Sequence, residues 1–130
     1  MREQGQKTKV LQKTKVLIVD DEPDIRFLFS RILLKRNMET GYAKNLAEAT
    51  LSIQADPPSL IFLDNSLPDG QGVDIIPYLK KNYPGTRIVV VTANDSAMDM
   101  INAFQQGADD FLGKPLSLEI INKTLDKIKA

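Results

Sequence analysis

The chain has 130 residues, 42% hydrophobic and 26% charged, a balance that suits one globular domain with its own core. Seventeen Lys plus Arg offset 17 Asp plus Glu, so no net field favours nucleic acid and no direct nucleic-acid binding is expected. The absence of Cys and His removes disulfides, thiolate and imidazole metal sites, Ser-His-Asp catalysis and any phosphohistidine carried by this chain.

No apolar run reaches the roughly 18 residues of a membrane span, and MREQGQKTK has no hydrophobic signal core. A cytoplasmic protein without membrane contact is expected. The start carries a short duplication, KTKVL at 7–11 and again at 13–17, and only the second copy continues into the apolar run Val16 to Val19. Residues 1–13 therefore read as a flexible tail.

Beyond the tail, strand and helix patterns alternate. Strands are predicted at Val16 to Val19, Glu39 to Ala43 (the weakest), Leu60 to Leu63, Ile88 to Val91 and Asp109 to Leu112. Three of them are nearly pure Val, Ile, Leu and Phe, the pattern of parallel strands covered on both faces. The first helix starts at Pro23, a residue suited to a first turn, and buries Ile25, Leu28, Phe29 and Ile32. The second starts at Asn45 and Glu48, a capping-box pair, with Leu46, Ala49 and Ile53 on one face.

A third helix between Gly72 and Asn82 contains Pro77, which predicts a kink or an early end to regular pairing. A fourth carries the stripe Ala97, Met100, Ile101 and Phe104 up to Gly107 as C-cap. The last carries Leu118, Ile121, Leu125 and Ile128 behind Ser117 as N-cap. Five β-α repeats with right-handed crossovers give a doubly wound, flavodoxin-like α/β fold, with a parallel sheet in the order 2-1-3-4-5 and helices on both faces.

The polar residues fall where the strands end. Asp20 and Asp21 follow the first, Asp64 the third, Thr92 the fourth, and Gly113 and Lys114 the fifth. In this topology those ends surround one crevice. Three acids and one lysine leave a charge of about −2 there, which a divalent cation offsets, and an all-oxygen donor set with few carboxylates suits Mg²⁺. A metal beside a carboxylate, a hydroxyl and an ammonium is equipped for phosphoryl transfer with Asp64 as nucleophile. Carboxylates after the first strand argue against a dinucleotide or flavin pocket, which needs backbone N–H groups there.

These residues resemble the receiver domain of two-component response regulators, a chemotaxis-regulator-like family. The likeness rests on VDDE at 19–22, Asp64-Asn65-Ser66-Leu67-Pro68-Asp69-Gly70, VTA at 91–93, GAD at 107–109 and FLGKP at 111–115. It covers residues 14–130. The resemblance implies that Asp64 accepts a phosphoryl group from a histidine kinase or histidine phosphotransfer protein. It implies Mg²⁺ held directly by Asp21 and Asp64, by Asp20 largely through water, and by the Ser66 backbone carbonyl. Lys114, before a cis Pro115, would pair with Asp64 and then with the phosphoryl group, while Thr92 and Phe111 would form the switch. Phe111 lacks the hydroxyl of the Tyr often found there, so its part would be played by packing alone.

Phe27 and Leu34 fall opposite the buried face of the first helix and are expected to dock a partner. Asp69 and Gly70 are expected to form a turn after Pro68. The resemblance implies a regulatory domain, not an enzyme, that assists its own phosphorylation and dephosphorylation. Its partners would be a downstream effector or an output domain missing from this chain, which ends soon after the fifth helix. Two other readings are an aspartyl-phosphate phosphohydrolase, which would want an acid where Ser66 stands, and a pseudo-receiver used only for protein contact, which would be expected to lack one of the three acids.

Overall fold

The computed structural model describes residues 14–129; the expected tail at 1–13 lies outside the described residues. Strands β1 (Lys15–Val19), β2 (Glu39–Ala43) and β3 (Leu60–Asp64) are followed by a two-residue hairpin, β4 (Ser66–Leu67) and β5 (Gly70–Gln71). Strands β6 (Arg87–Thr92) and β7 (Asp110–Gly113) complete the set. The helices are α1 (Pro23–Lys35), α2 (Leu46–Ala55), α3 (Ile76–Asn82), α4 (Ala97–Gln106) and α5 (Leu118–Lys129). The main sheet runs β2-β1-β3-β6-β7, all parallel, which is the expected order of the five long strands.

Two apolar layers sandwich the sheet, and period-two alternation sorts each strand between them. Val16, Ile18, Phe62, Val89 and Val91 meet Phe29, Ile32 and Leu33 of α1 and Ile121 and Leu125 of α5. Leu17, Val19, Ile61, Leu63, Ile88 and Val90 meet the opposite layer, with Ala49 and Ile53 of α2, Ile76 and Leu79 of α3, and Ala103 of α4. Each fully buried Leu, Ile, Val or Phe contributes about 1.5–3 kcal/mol of transfer free energy. The rings of Phe29 and Phe62 lie 4.6 Å apart, tilted by 43°, and fix α1 against the central strand.

Three local expectations change. The segment from Gly72 to Asn82 is split into a 3₁₀ turn, Gly72–Ile75, and α3, and Pro77 lands not inside a longer helix but in the first turn of α3, where its missing N–H leaves no intrahelical bond unmade. The α4 stripe does not face the core. Ala97, Met98, Met100, Ile101 and Phe104 are all exposed, and only the small Ala103 is buried, because close approach to the sheet admits a methyl there. Leu118 is likewise exposed, and the inward face of α5 begins at Ile121.

The predicted caps hold. Asn45 accepts the N–H of Glu48, Ser117 that of Ile120, and Gly107 closes α4 at φ 118°, a left-handed conformation that favours glycine. Glu48 accepts the N–H of Lys44 instead of that of Asn45, so the capping box is offset by one residue.

Candidate functional site

The parallel sheet delivers its carboxyl ends to one edge. Asp20 leaves β1 with its N–H donated to the carbonyl of Ala43, and its Oδ1 accepts the Glu22 N–H at 2.9 Å. Asp64 ends β3, and its Oδ1 accepts the Ser66 N–H at 3.2 Å. Asp20, Asp21 and Asp64 each place a carboxylate oxygen within 4.8 Å of the others, so acids 44 positions apart in the chain form one cluster. Asp20 is 2% exposed and Asp64 4%, while Asp21 faces solvent.

Thr92 ends β6 buried, with its hydroxyl accepting the Asn94 N–H at 3.0 Å. Lys114 follows β7, donates its N–H to the Thr92 carbonyl at 2.8 Å, and precedes Pro115 through a cis peptide bond as expected. Its ammonium lies 2.6 Å from Glu22 Oε1, 3.2 Å from Asp20 Oδ2 and 3.6 Å from Asp64 Oδ2. Phe111 is half-buried against the α2–α4 layer. It pairs with Val90, a residue of the same layer, and Thr92 lies two positions further along β6, so Thr92 and Phe111 share one face of the sheet.

Burial drives the electrostatics. It pushes the Asp64 carboxyl from 3.8 up to about 6; the charges of Asp20 and Asp21 add to this, against the Ser66 N–H and Lys114. Burial likewise raises Asp20. Burial alone would lower Lys114, but the carboxylates of Glu22, Asp20 and Asp64 outweigh it and raise the ammonium.

The loop after Asp64 is held by contacts that the sequence alone does not show. Asn65 accepts the Val73 N–H at 3.0 Å through its side chain and the Gly72 N–H at 3.1 Å through its carbonyl. A Cβ on Gly72 would lie 2.5 Å from the Asp64 carbonyl oxygen and 2.8 Å from Leu63 Cγ, so this position excludes a side chain. Asp69 does more than turn the chain: its two carboxylate oxygens accept the N–H groups of Leu46 at 2.8 Å and Ala47 at 3.0 Å, tying the loop to the start of α2. Those bonds hold its carboxyl below the usual range.

The response regulator receiver domain profile matches residues 16–126. The chain belongs to that family. This receiver domain is 40% identical over 108 residues to the response regulator protein PilR of Pseudomonas aeruginosa, covering 83% of the chain and 24% of PilR. It is 33% identical to the chemotaxis protein CheY of Bacillus subtilis, covering 86% of the chain and 98% of CheY. A two-component response regulator from Clostridium difficile has the same fold with a TM-score of 0.85 and 31% identity, over 90% of this chain and 96% of that one. The chain thus spans about a quarter of PilR and nearly all of CheY.

The receiver domain is the signalling module of two-component response regulators, consistent with a phosphoacceptor switch. Such domains generally bind Mg²⁺ at an acidic pocket, and this structure holds an acidic cluster of Asp20, Asp21 and Asp64. Among the described residues, no helix is long and apolar enough to cross a membrane.

Proposed function

We propose that this receiver domain is a Mg²⁺-dependent switch whose phosphoacceptor is Asp64. The carrying observation is the meeting of two buried carboxylates and one exposed one beside an ammonium at the carboxyl end of the sheet. The donor set is oxygen only, which suits Mg²⁺, with Asp21, Asp64 and the Ser66 carbonyl as ligands and Asp20 acting largely through water. Bound there, the metal supplies positive charge to the oxygens of a transferring phosphoryl group.

In this reading a carboxylate oxygen of Asp64 attacks the phosphorus of a partner's phosphohistidine. The P–N bond breaks and its electron pair returns to the imidazole. Lys114 supports the phosphoryl oxygens, and the Thr92 hydroxyl turns from the Asn94 N–H toward them. Phe111, on the same face as Thr92, repacks into the vacated space and alters the surface of α4, β7 and α5. The domain assists its own phosphorylation and dephosphorylation and acts on no other substrate. A cytoplasmic location suits a histidine kinase or phosphotransfer protein as donor, with a protein effector or attached output domain downstream.

Phe27, 63% exposed, and Leu34, 77% exposed, lie on the outer face of α1 and form the proposed docking surface for the donor. The guanidinium of Arg31 sits 5.7 Å from the Phe27 ring centre and lies between the two apolar side chains in sequence. The test is incubation with a small phosphodonor or beryllofluoride, with and without Mg²⁺. Modification that needs Mg²⁺ and disappears in Asp64→Asn supports the switch. Steady turnover of an unrelated phosphoester would favour a phosphohydrolase instead, and the lack of any modification would favour a pseudo-receiver.

A further inference from the structure

Lys114 is shared unequally among three carboxylates. Its Nζ is 2.6 Å from Glu22, within hydrogen-bonding range, whereas its 3.6 Å separation from Asp64 is beyond it. Glu22 occupies the N-cap position of α1, yet its side chain makes no capping bond there and reaches instead across to a residue 92 positions away. Asp20 and Asp64 are buried and fixed by backbone N–H groups, while the Glu22 side chain remains 58% exposed. Of the three partners, Glu22 is the one that can release the ammonium with least rearrangement, since water can solvate its carboxylate on departure.

We propose that Glu22 is a positioning residue that holds the Lys114 ammonium off Asp64 in the unphosphorylated protein, so that phosphorylation proceeds with transfer of this ammonium from Glu22 to the phosphoryl oxygens. The proposal rests on the phosphoacceptor reading of Asp64 and adds a restraint to it. Lysine presents three donors on a flexible stem, so a shift of about an ångström suffices to change partner. While Glu22 keeps its hold, the charge most useful to the incoming phosphoryl group is partly neutralised by a carboxylate that takes no part in the transfer. The ion pair therefore adds to the 3.2 Å contact of Lys114 with Asp20 in setting how readily the site accepts a phosphoryl group.

The test compares Glu22→Gln, Glu22→Asp and the unaltered chain at saturating Mg²⁺, with Mg²⁺ affinity measured separately on each. An ion pair in which one partner stays solvated, as Glu22 does, corresponds to a factor of about two to five. Glu22→Gln is expected to bind beryllofluoride about two- to fivefold more tightly and to accelerate phosphorylation by acetyl phosphate by a similar factor. Glu22→Asp, one methylene shorter, is expected to fall in between, with the Lys114 Nζ NMR resonance moving in the same order. In a Lys114→Gln background, Glu22→Gln is expected to have no effect.

An unchanged or weaker response to beryllofluoride in Glu22→Gln would overturn the proposal, as would an effect that persists without the lysine. If Asp64→Asn still bound beryllofluoride, the phosphoacceptor reading itself would fail; if only the Glu22 variants behaved like the unaltered chain, that reading would stand and the restraint alone would fall.

Discussion

Asp20, just past the end of β1, and Asp64, the last residue of the neighbouring β3, aim buried carboxylates into the same space, each with an oxygen within 4.8 Å of the other. Folding brings these charges together and withdraws them from water. The Lys114 ammonium offsets part of the resulting cost in stability, and a divalent cation would offset more.

The Asp64 carboxyl titrates at 3.8 in an ordinary setting and at about 6 in the fold, so between these values the folded state holds the extra proton. Stability contributed by this group is present below pH 3.8 and lost as pH rises through about 6. Metal-free Asp64→Asn is accordingly expected to gain on the order of 3 kcal/mol at pH 8 over the unaltered chain, with the gain fading toward pH 4. Urea unfolding in EDTA across that pH range checks it; a pH-independent difference would contradict it.

Mg²⁺ is expected to stabilise the fold by about 2.7 kcal/mol when present at a hundred times its dissociation constant. Asp21→Ala is expected to abolish most of that effect while leaving the metal-free fold intact, since Asp21 is exposed. Because Asp64 takes up a proton near pH 6, affinity is expected to weaken about tenfold per pH unit below that point. Metal titrations followed by intrinsic tyrosine fluorescence or calorimetry measure both.

Gly72→Ala is expected to cost roughly 1–3 kcal/mol, the range for forced overpacking. The added methyl meets the Asp64 carbonyl oxygen and Leu63, neither of which can swing aside like the end of a flexible side chain. Thermal unfolding reports the loss, and displaced Asn65 and Val73 amide resonances would locate it.

Phe27→Ala with Leu34→Ala is expected to slow phosphotransfer from a histidine-phosphorylated partner about tenfold, the loss of roughly 1.4 kcal/mol of docking energy. Phosphorylation by acetyl phosphate, which needs no docking surface, should not change. Equal slowing with both donors would assign these residues to the fold instead.

Much of this was legible in the sequence because local rules suffice for it. Runs such as Leu60 to Leu63, short and bounded by polar residues, suit a strand covered on both faces, and the acids, Thr92 and Lys114 fall at the ends of such runs. Other features depend on long-range partners. Asp69 looks like a turn residue until α2, more than 20 positions earlier, presents its free N–H groups. Glu22 looks like part of the acidic cluster until Lys114 arrives from the far end of the chain. The α4 stripe has helical period, but period does not say which way a face points, and contact through Ala103 alone left the larger residues outside.

The central claim concerns one atom group, the Asp64 carboxyl, and it can be read chemically. After reaction with acetyl phosphate and Mg²⁺, borohydride reduces an acyl phosphate on aspartate to homoserine, which peptide sequencing by mass spectrometry then locates. Homoserine at position 64, formed only with Mg²⁺, is the expected result. Phosphate found on Ser66 or Thr92, or homoserine at another aspartate while position 64 stays intact, would contradict it.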